Sequence, residues 1–204
     1  MRNDGVIASA HGSVALGAGD QVTVNLNGNK LIGLTVDQGS LNALAENKGL
    51  ISVGGGTVIL SAKAMDQLIR SVVNNDGIIE ATGITTAGGN IRLEADVVVQ
   101  TGTLAASGTQ GGRIGIDARA IIDAGTAYAR GIVGDGGDIG YRAAEGIVQT
   151  AAARLDASRA TAGGRILLTS GNALFTSGTL VAGGLQGGNI ELTAALLVCR
   201  FRWG

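Results

Sequence analysis

The sequence predicts an all-β chain, a parallel β-helix of about seven coils, and three observations carry that reading. A double glycine followed by an alternating strand returns six times, at Gly55-Gly56, Gly88-Gly89, Gly111-Gly112, Gly136-Gly137, Gly163-Gly164 and Gly187-Gly188. Successive second glycines stand 33, 23, 25, 27 and 24 residues apart. A near-constant period in this range marks a solenoid, whose units bury an apolar face only when neighbours stack on them. Each unit also holds three short apolar runs joined by turns too short for a crossover helix. Equivalent strands of successive units must then pair in parallel, about 4.8 Å apart. Finally, the 204 residues include 36 glycines and no proline, with 45% hydrophobic residues and a net charge of −1. Disordered glycine-rich chains carry proline and charge instead, so these glycines read as turn residues that permit positive φ between strands. A leucine-rich repeat has a similar period, but its leucine and asparagine consensus is missing.

The elements follow in order. Val6, Ala8, Val14 and Leu16 already alternate, so the chain begins inside the pattern. Val22 to Leu26 and Leu31 to Val36 flank Asn27-Gly28, the strongest short-range hairpin signal. Ser40 to Asn47 reads as a capped helical turn, and hairpin and turn together form an insertion over about 20–48. Met65, Leu68, Ile69 and Val72 fall at helical spacing, which predicts a short amphipathic helix over about 62–73 on the side of the rod.

Within each full repeat a first strand follows a single glycine, as at Ile78-Ile79-Glu80, Thr103-Leu104-Ala105 and Thr179-Leu180-Val181. The second strand follows the double glycine. Its alternation points Val58, Leu60, Ile91, Leu93, Ile114, Ile116, Ile139, Ile166, Leu168, Ile190 and Leu192 inward. The third strand, at Val97-Val98-Val99, Ala120-Ile121-Ile122, Gly146-Ile147-Val148 and Ala173-Leu174-Phe175, has the least regular pattern. The repeat domain spans 1–194. A non-repeat tail, 195–204, brings the only Cys (Cys199) and the only Trp (Trp203), and an apolar end of that kind predicts end-to-end self-association.

Composition limits function. Aromatics at 2% argue against a groove that stacks sugars or bases. Dispersed Lys and Arg at near-zero net charge give no electrostatic footprint for nucleic acid or an anionic membrane. No apolar run approaches the roughly 20 residues of a membrane-spanning helix. The start, Met1 to Gly5, lacks the pattern of a signal peptide, so this chain alone is expected to lack an export signal.

Gly12 to Val22, Asn42 to Asn47, Val58 to Ala64 and Val72 to Gly77 resemble the filamentous-haemagglutinin-like exoproteins of bacterial two-partner secretion, over about Gly5 to Ala95. That resemblance implies a right-handed parallel β-helix and export through a dedicated outer-membrane transporter. It also implies adhesion at the surface of host or neighbouring cells, as part of a longer secreted or cell-surface protein. The family's amino-terminal secretion domain carries Asn-Pro motifs, whereas this chain has no proline. The chain therefore reads as an internal fragment of an adhesin, with a purely structural stalk or a gene remnant as the alternatives.

Chemistry is thinly represented. The nucleophile elbow, the phosphate-binding loop and the dinucleotide fingerprint are all missing. One His (His11) and one Cys make a His/Cys metal cluster or a Cys-His dyad untenable, and His11 reads as a solvated turn residue. Asp135-Gly136-Gly137-Asp138 is a single copy of a calcium-roll-like pattern without its tandem period. A β-helical polysaccharide lyase or hydrolase would need clustered carboxylates. The outward candidates, Glu80, Asp117, Asp123 and Asp156, belong to different strands and turns. The expectation is no catalytic residue, no cofactor, no metal and no enzymatic activity.

Overall fold

A computed structural model of the chain describes residues 1–10, 12–27, 30–66, 70–83, 88–159 and 161–200. It is a parallel β-helix. The chain enters through β1 (Arg2–Asn3), β2 (Val6–Ser9) and β3 (Val14–Ala18), then leaves the rod in a hairpin, β4 (Gln21–Asn27) and β5 (Lys30–Gln38). It rejoins at β6 (Leu44–Asn47), β7 (Leu50–Gly54) and β8 (Thr57–Ala62), followed by β9 (Val72–Asn75) and β10 (Ile78–Thr82). From β11 (Asn90–Gln100) the second and third strands fuse around a corner, again in β13 (Arg113–Asp123) and β15 (Asp138–Gln149). Between them run the first strands β12 (Thr103–Ala105), β14 (Thr126–Tyr128) and β16 (Arg154–Asp156). The rod closes with β17 (Arg165–Ser170), β18 (Ala173–Thr176), β19 (Thr179–Val181), β20 (Asn189–Thr193) and β21 (Leu196–Cys199).

The first strands make a seven-stranded parallel sheet, β19-β16-β14-β12-β10-β7-β2. Second and third strands stack in the same in-register way, for example Val58 on Ile91, Ile91 on Ile114, Ile114 on Ile139 and Ile139 on Ile166. The third-strand register, the least legible from sequence, runs Val98, Ile121, Ile147, Leu174, all buried.

The double glycine works differently from its expected role. Among the described glycines only Gly55 and Gly187 have positive φ. The repeated glycines are needed because coils approach backbone to backbone. A Cβ on Gly89, Gly112, Gly137 or Gly164 would fall within 3.0 Å of the carbonyl oxygen of Gly56, Gly89, Gly112 or Gly137 respectively. The residue after each second glycine donates its N–H to the same carbonyl column, as in Arg113 to Gly89 at 2.9 Å and Asp138 to Gly112 at 3.0 Å. The turn therefore acts as a ladder rung of its own, and any side chain there forces the coils apart.

Both expected helical segments pair with neighbouring coils instead. Ala62 ends β8, Ala64 bridges to Ser40, and Val72 opens β9, while 67–69 (with Leu68 and Ile69) lie outside the described residues. Lys63 donates to the Ala18 carbonyl and Met65 to that of Ser40, so the backbone finds its acceptors one coil away rather than four residues back. Likewise Leu44 to Asn47 is β6, paired with β1 and β9. Coil stacking outweighs helical periodicity at both places.

The hairpin expected around Asn27-Gly28 is present as β4–β5, with Gly28 itself outside the described residues. Its inner face covers the outer side of the rod. Leu34 and Val36 are buried, and Gly17 on β3 and Gly19 just after it lie directly under Leu34, Val22 and Val36. The outward-pointing Ile59 is 1% exposed.

Nine of the eleven expected core residues are buried. Ile190 and Leu192 are the exceptions: Ile190 is 42% exposed and Leu192 half-buried, because β20 lies in the last described coil and no described strand stacks on it. The rod runs past the expected boundary at Ala194, since β21 pairs with β18 through Cys199. Phe201 to Gly204 lie outside the described residues.

Two comparisons test this architecture by urea unfolding. Ile114→Ala should cost about 2–5 kcal/mol, whereas Ile190→Ala, on the unstacked coil, should cost under about 1 kcal/mol. Arg113→Ala should cost little, since its pairing with Asp138 is exposed. Gly137→Ala should lose more than about 2 kcal/mol or the cooperative transition altogether, while Gly115→Ala, whose added Cβ meets nothing within 4 Å, should be tolerated. Equal losses at Gly115 and Gly137 would refute the glycine-ladder account.

Candidate functional site

Three side-chain arrangements stand out: an interior polar ladder, an outer face of paired charges, and an exposed apolar strip. The ladder occupies the inward position that ends each third strand. Asn3 donates to Asn47 at 2.8 Å, Asn47 to Asn75 at 2.8 Å, and Asn75 to Gln100 at 2.9 Å. From the other direction Thr176 donates to Gln149 at 2.9 Å, and Gln149 to Asp123 at 2.8 Å. The two runs of donors point toward each other, and a carboxylate, which only accepts, sits where they converge. Gln100 turns its amide N–H to the Gly102 carbonyl instead.

Asp123 was expected on the exterior; it is fully buried. The residue two before each first-strand glycine points inward because the third strand ends there and the chain turns the corner. Burial raises its carboxyl pKa to about 6, against the opposing hydrogen bonds from Gln149 and the Gly125 N–H. Tyr141, in the column between Ile116 and Leu168, is also buried, its hydroxyl has no partner, and burial and the nearby Asp123 push its pKa up.

The other three candidate carboxylates are divided between two faces. Glu80 and Asp156 share an outward column of the first-strand sheet, three coil steps apart through Ala105 and Tyr128, or about 14 Å. Glu80 accepts from Ser52 at 3.4 Å. Asp156 is desolvated, yet hydrogen bonds from Arg130 and Ser158 hold it well below the usual carboxylate range. Arg130 in turn lies over the Tyr128 ring, 4.4 Å from its centroid. Asp117 is on the second-strand face, 3.6 Å from Arg142. No two of the four are placed to share a substrate bond, which requires carboxyl groups within about 5–9.5 Å. Asp135 and Asp138 point to different arginines, Arg159 at 3.5 Å and Arg113 at 3.0 Å, and no acidic, His or Cys cluster suited to a metal occurs among the described residues. His11 lies outside them.

The second-strand face carries a shallow depression of about 250 Å³. Its floor is Gly115 and Gly140, stacked in register, and its walls are the Arg113–Asp138 and Asp117–Arg142 pairs. On the third-strand face Ile122, Val148, Phe175 and Val198 stack into a strip, each 40–45% exposed. A contiguous apolar strip on a soluble surface is a contact surface in waiting. Cys199, beside it, is a half-buried free thiol.

No protein-family profile matches the chain. The crystal structure of the HMW1 secretion domain from Haemophilus influenzae superposes with a TM-score of 0.78 at 20% identity, covering 98% of this chain and 60% of that one. The likeness establishes the fold, a parallel β-helix. The heme/hemopexin-binding protein of Haemophilus influenzae is 33% identical over 67 residues, a third of this chain and 7% of that protein. The chain thus spans only part of both relatives. No helix among the described residues is long and apolar enough to cross a membrane.

The buried carboxyl gives a pH test. Raised from 3.8 to about 6 in the fold, Asp123 is protonated more readily when folded than when unfolded. Its contribution to stability is therefore complete below pH ~4 and lost as pH rises through ~6, by up to about 3 kcal/mol. Urea unfolding of the wild type should show this fall between pH 4 and 7.5. In Asp123→Asn that component should vanish; identical pH profiles for the two proteins would place the carboxyl in solvent.

Proposed function

We propose that the chain is part of a two-partner-secretion exoprotein of the filamentous-haemagglutinin-like kind, exported through an outer-membrane transporter. The observation that carries this reading is the likeness to the HMW1 secretion domain across 98% of the chain. The local identity to the heme/hemopexin-binding protein adds a sequence-based link to a second Haemophilus influenzae protein. In this reading the β-helix is a stalk that mediates or supports adhesion at a cell surface. It carries no catalytic activity, a reading supported by the scatter of Glu80, Asp117, Asp123 and Asp156 over the rod. The exposed strip of Ile122, Val148, Phe175 and Val198 is the contact surface it offers.

Export is testable in a Gram-negative host. The chain, placed behind a signal peptide, should reach the medium when a two-partner-secretion outer-membrane transporter is co-expressed, and stay in the periplasm without it. Release that is independent of the transporter, or retention despite it, would overturn the assignment. Beads coated with the purified chain should bind host cells more than beads coated with a Phe175→Asp variant.

A further inference from the structure

We infer that β4 is a self-pairing edge, through which two copies of this chain join their hairpins into one four-stranded antiparallel sheet. The hairpin is a separate two-stranded sheet, so each of its strands has one unpaired edge. β5 packs toward the rod, where Leu34 and Val36 are buried. β4 is the outboard strand, exposed from Gln21 to Leu26, and its free edge presents a row of unpaired backbone groups.

Proteins normally protect such an edge with charge, proline, a bulge or shortness. β4 has none of these. Gln21-Val22-Thr23-Val24-Asn25-Leu26-Asn27 carries no charge and no proline over seven residues. The hairpin does contain two register shifts, but both place the additional residue in β5. Gln21 faces Gln38 and Val22 faces Val36, leaving Asp37 over; Asn25 faces Gly33 and Leu26 faces Leu31, leaving Ile32 over. The outboard edge therefore stays regular.

The occupant follows from the strand's own symmetry. An antiparallel pairing of β4 with a second β4, centred on Val24, sets Val24 against Val24, Val22 against Leu26 and Thr23 against Asn25. Every apolar residue then meets an apolar one on a single face, no charges oppose, and the contact is isologous. Val22, Val24 and Leu26 are 36%, 53% and 61% exposed in the single chain, so pairing covers the apolar overhang that the rod leaves bare. On the other face Thr23 is already bonded to Asp37 and Asn25 to Thr35, so the polar side needs no partner. One strand edge is a small interface, which makes the association weak and concentration-dependent.

Sedimentation equilibrium over a concentration series tests this. The wild type should show a reversible dimer. Val24→Lys, which sets two ammonium groups against each other at the centre, should raise the dissociation constant at least about tenfold. A wild type that stays monomeric at the highest concentration overturns the inference, and so does Val24→Lys dimerising as strongly as the wild type, which would place the contact at the rod ends. In a Cys199→Ser background, Val24→Cys should cross-link into a disulfide dimer under mild oxidation, while Gln21→Cys, which would face Asn27 of the second copy, should not. Equal cross-linking at both positions overturns the register.

Discussion

The close approach of one coil's backbone to the next is the constraint on which the rest depends. Parallel strands stack at about 4.8 Å, and the turn before each second strand must descend at the same pitch. Only a residue without a Cβ fits at Gly89, Gly112, Gly137 and Gly164. A second column, Gly49, Gly77, Gly102 and Gly125, does the same before the first strands, each with the previous coil's glycine carbonyl beneath it, from Gly5 under Gly49 to Gly102 under Gly125. With both corners pinned, the strands between them fall into register without slippage, and isoleucine stacks on isoleucine up the core. The glycines cost conformational entropy, and dense aliphatic burial offsets it.

Much of this was legible in the sequence because the corner chemistry repeats. The double glycine fixed the phase of the second strand, so Val58 through Leu168 could be assigned inward from spacing alone. What spacing does not encode is whether a coil has a neighbour, and Ile190 and Leu192 lie open for that reason only. The helical readings of Ala62 to Met65 and of Ser40 to Asn47 misled because a local pattern cannot register a backbone acceptor waiting in another coil. The interior ladder had a signal that went unused: a polar residue two before the glycine in Asn3-Asp4-Gly5, Asn47-Lys48-Gly49, Asn75-Asp76-Gly77, Gln100-Thr101-Gly102, Asp123-Ala124-Gly125 and Thr176-Ser177-Gly178. Reading that column would have moved Asp123 from the exterior to the interior.

Surface chemistry was less legible than the fold, for a physical reason. Outward residues of a solenoid are grouped by coil stacking, which joins positions about 25 residues apart, so neither the Ile122–Val198 strip nor the glycine-floored depression exists as a contiguous motif. The same stacking separates the carboxylates, sending Asp123 inside, Asp117 to one face and Glu80 and Asp156 to another. Many polar groups of the rod are thereby paired with the adjacent coil, as Asp138 is with Arg113 and Asp156 with Arg130.

The meeting of the two ladder runs at Asp123 has a mechanical consequence. Bonds between coils lie along the rod, so a pull on its two ends loads them in tension, rung by rung. Between Asn3 and Gln100, and between Asp123 and Thr176, each rung adds a side-chain link in the interior to the backbone ladder. The step from Gln100 to Asp123 has no such interior link, since Gln100 bonds to Gly102 within its own turn. There the tension falls on the main chain, whose ladder at that step runs over ten residue pairs, from Asn90 on Arg113 to Gln100 on Asp123.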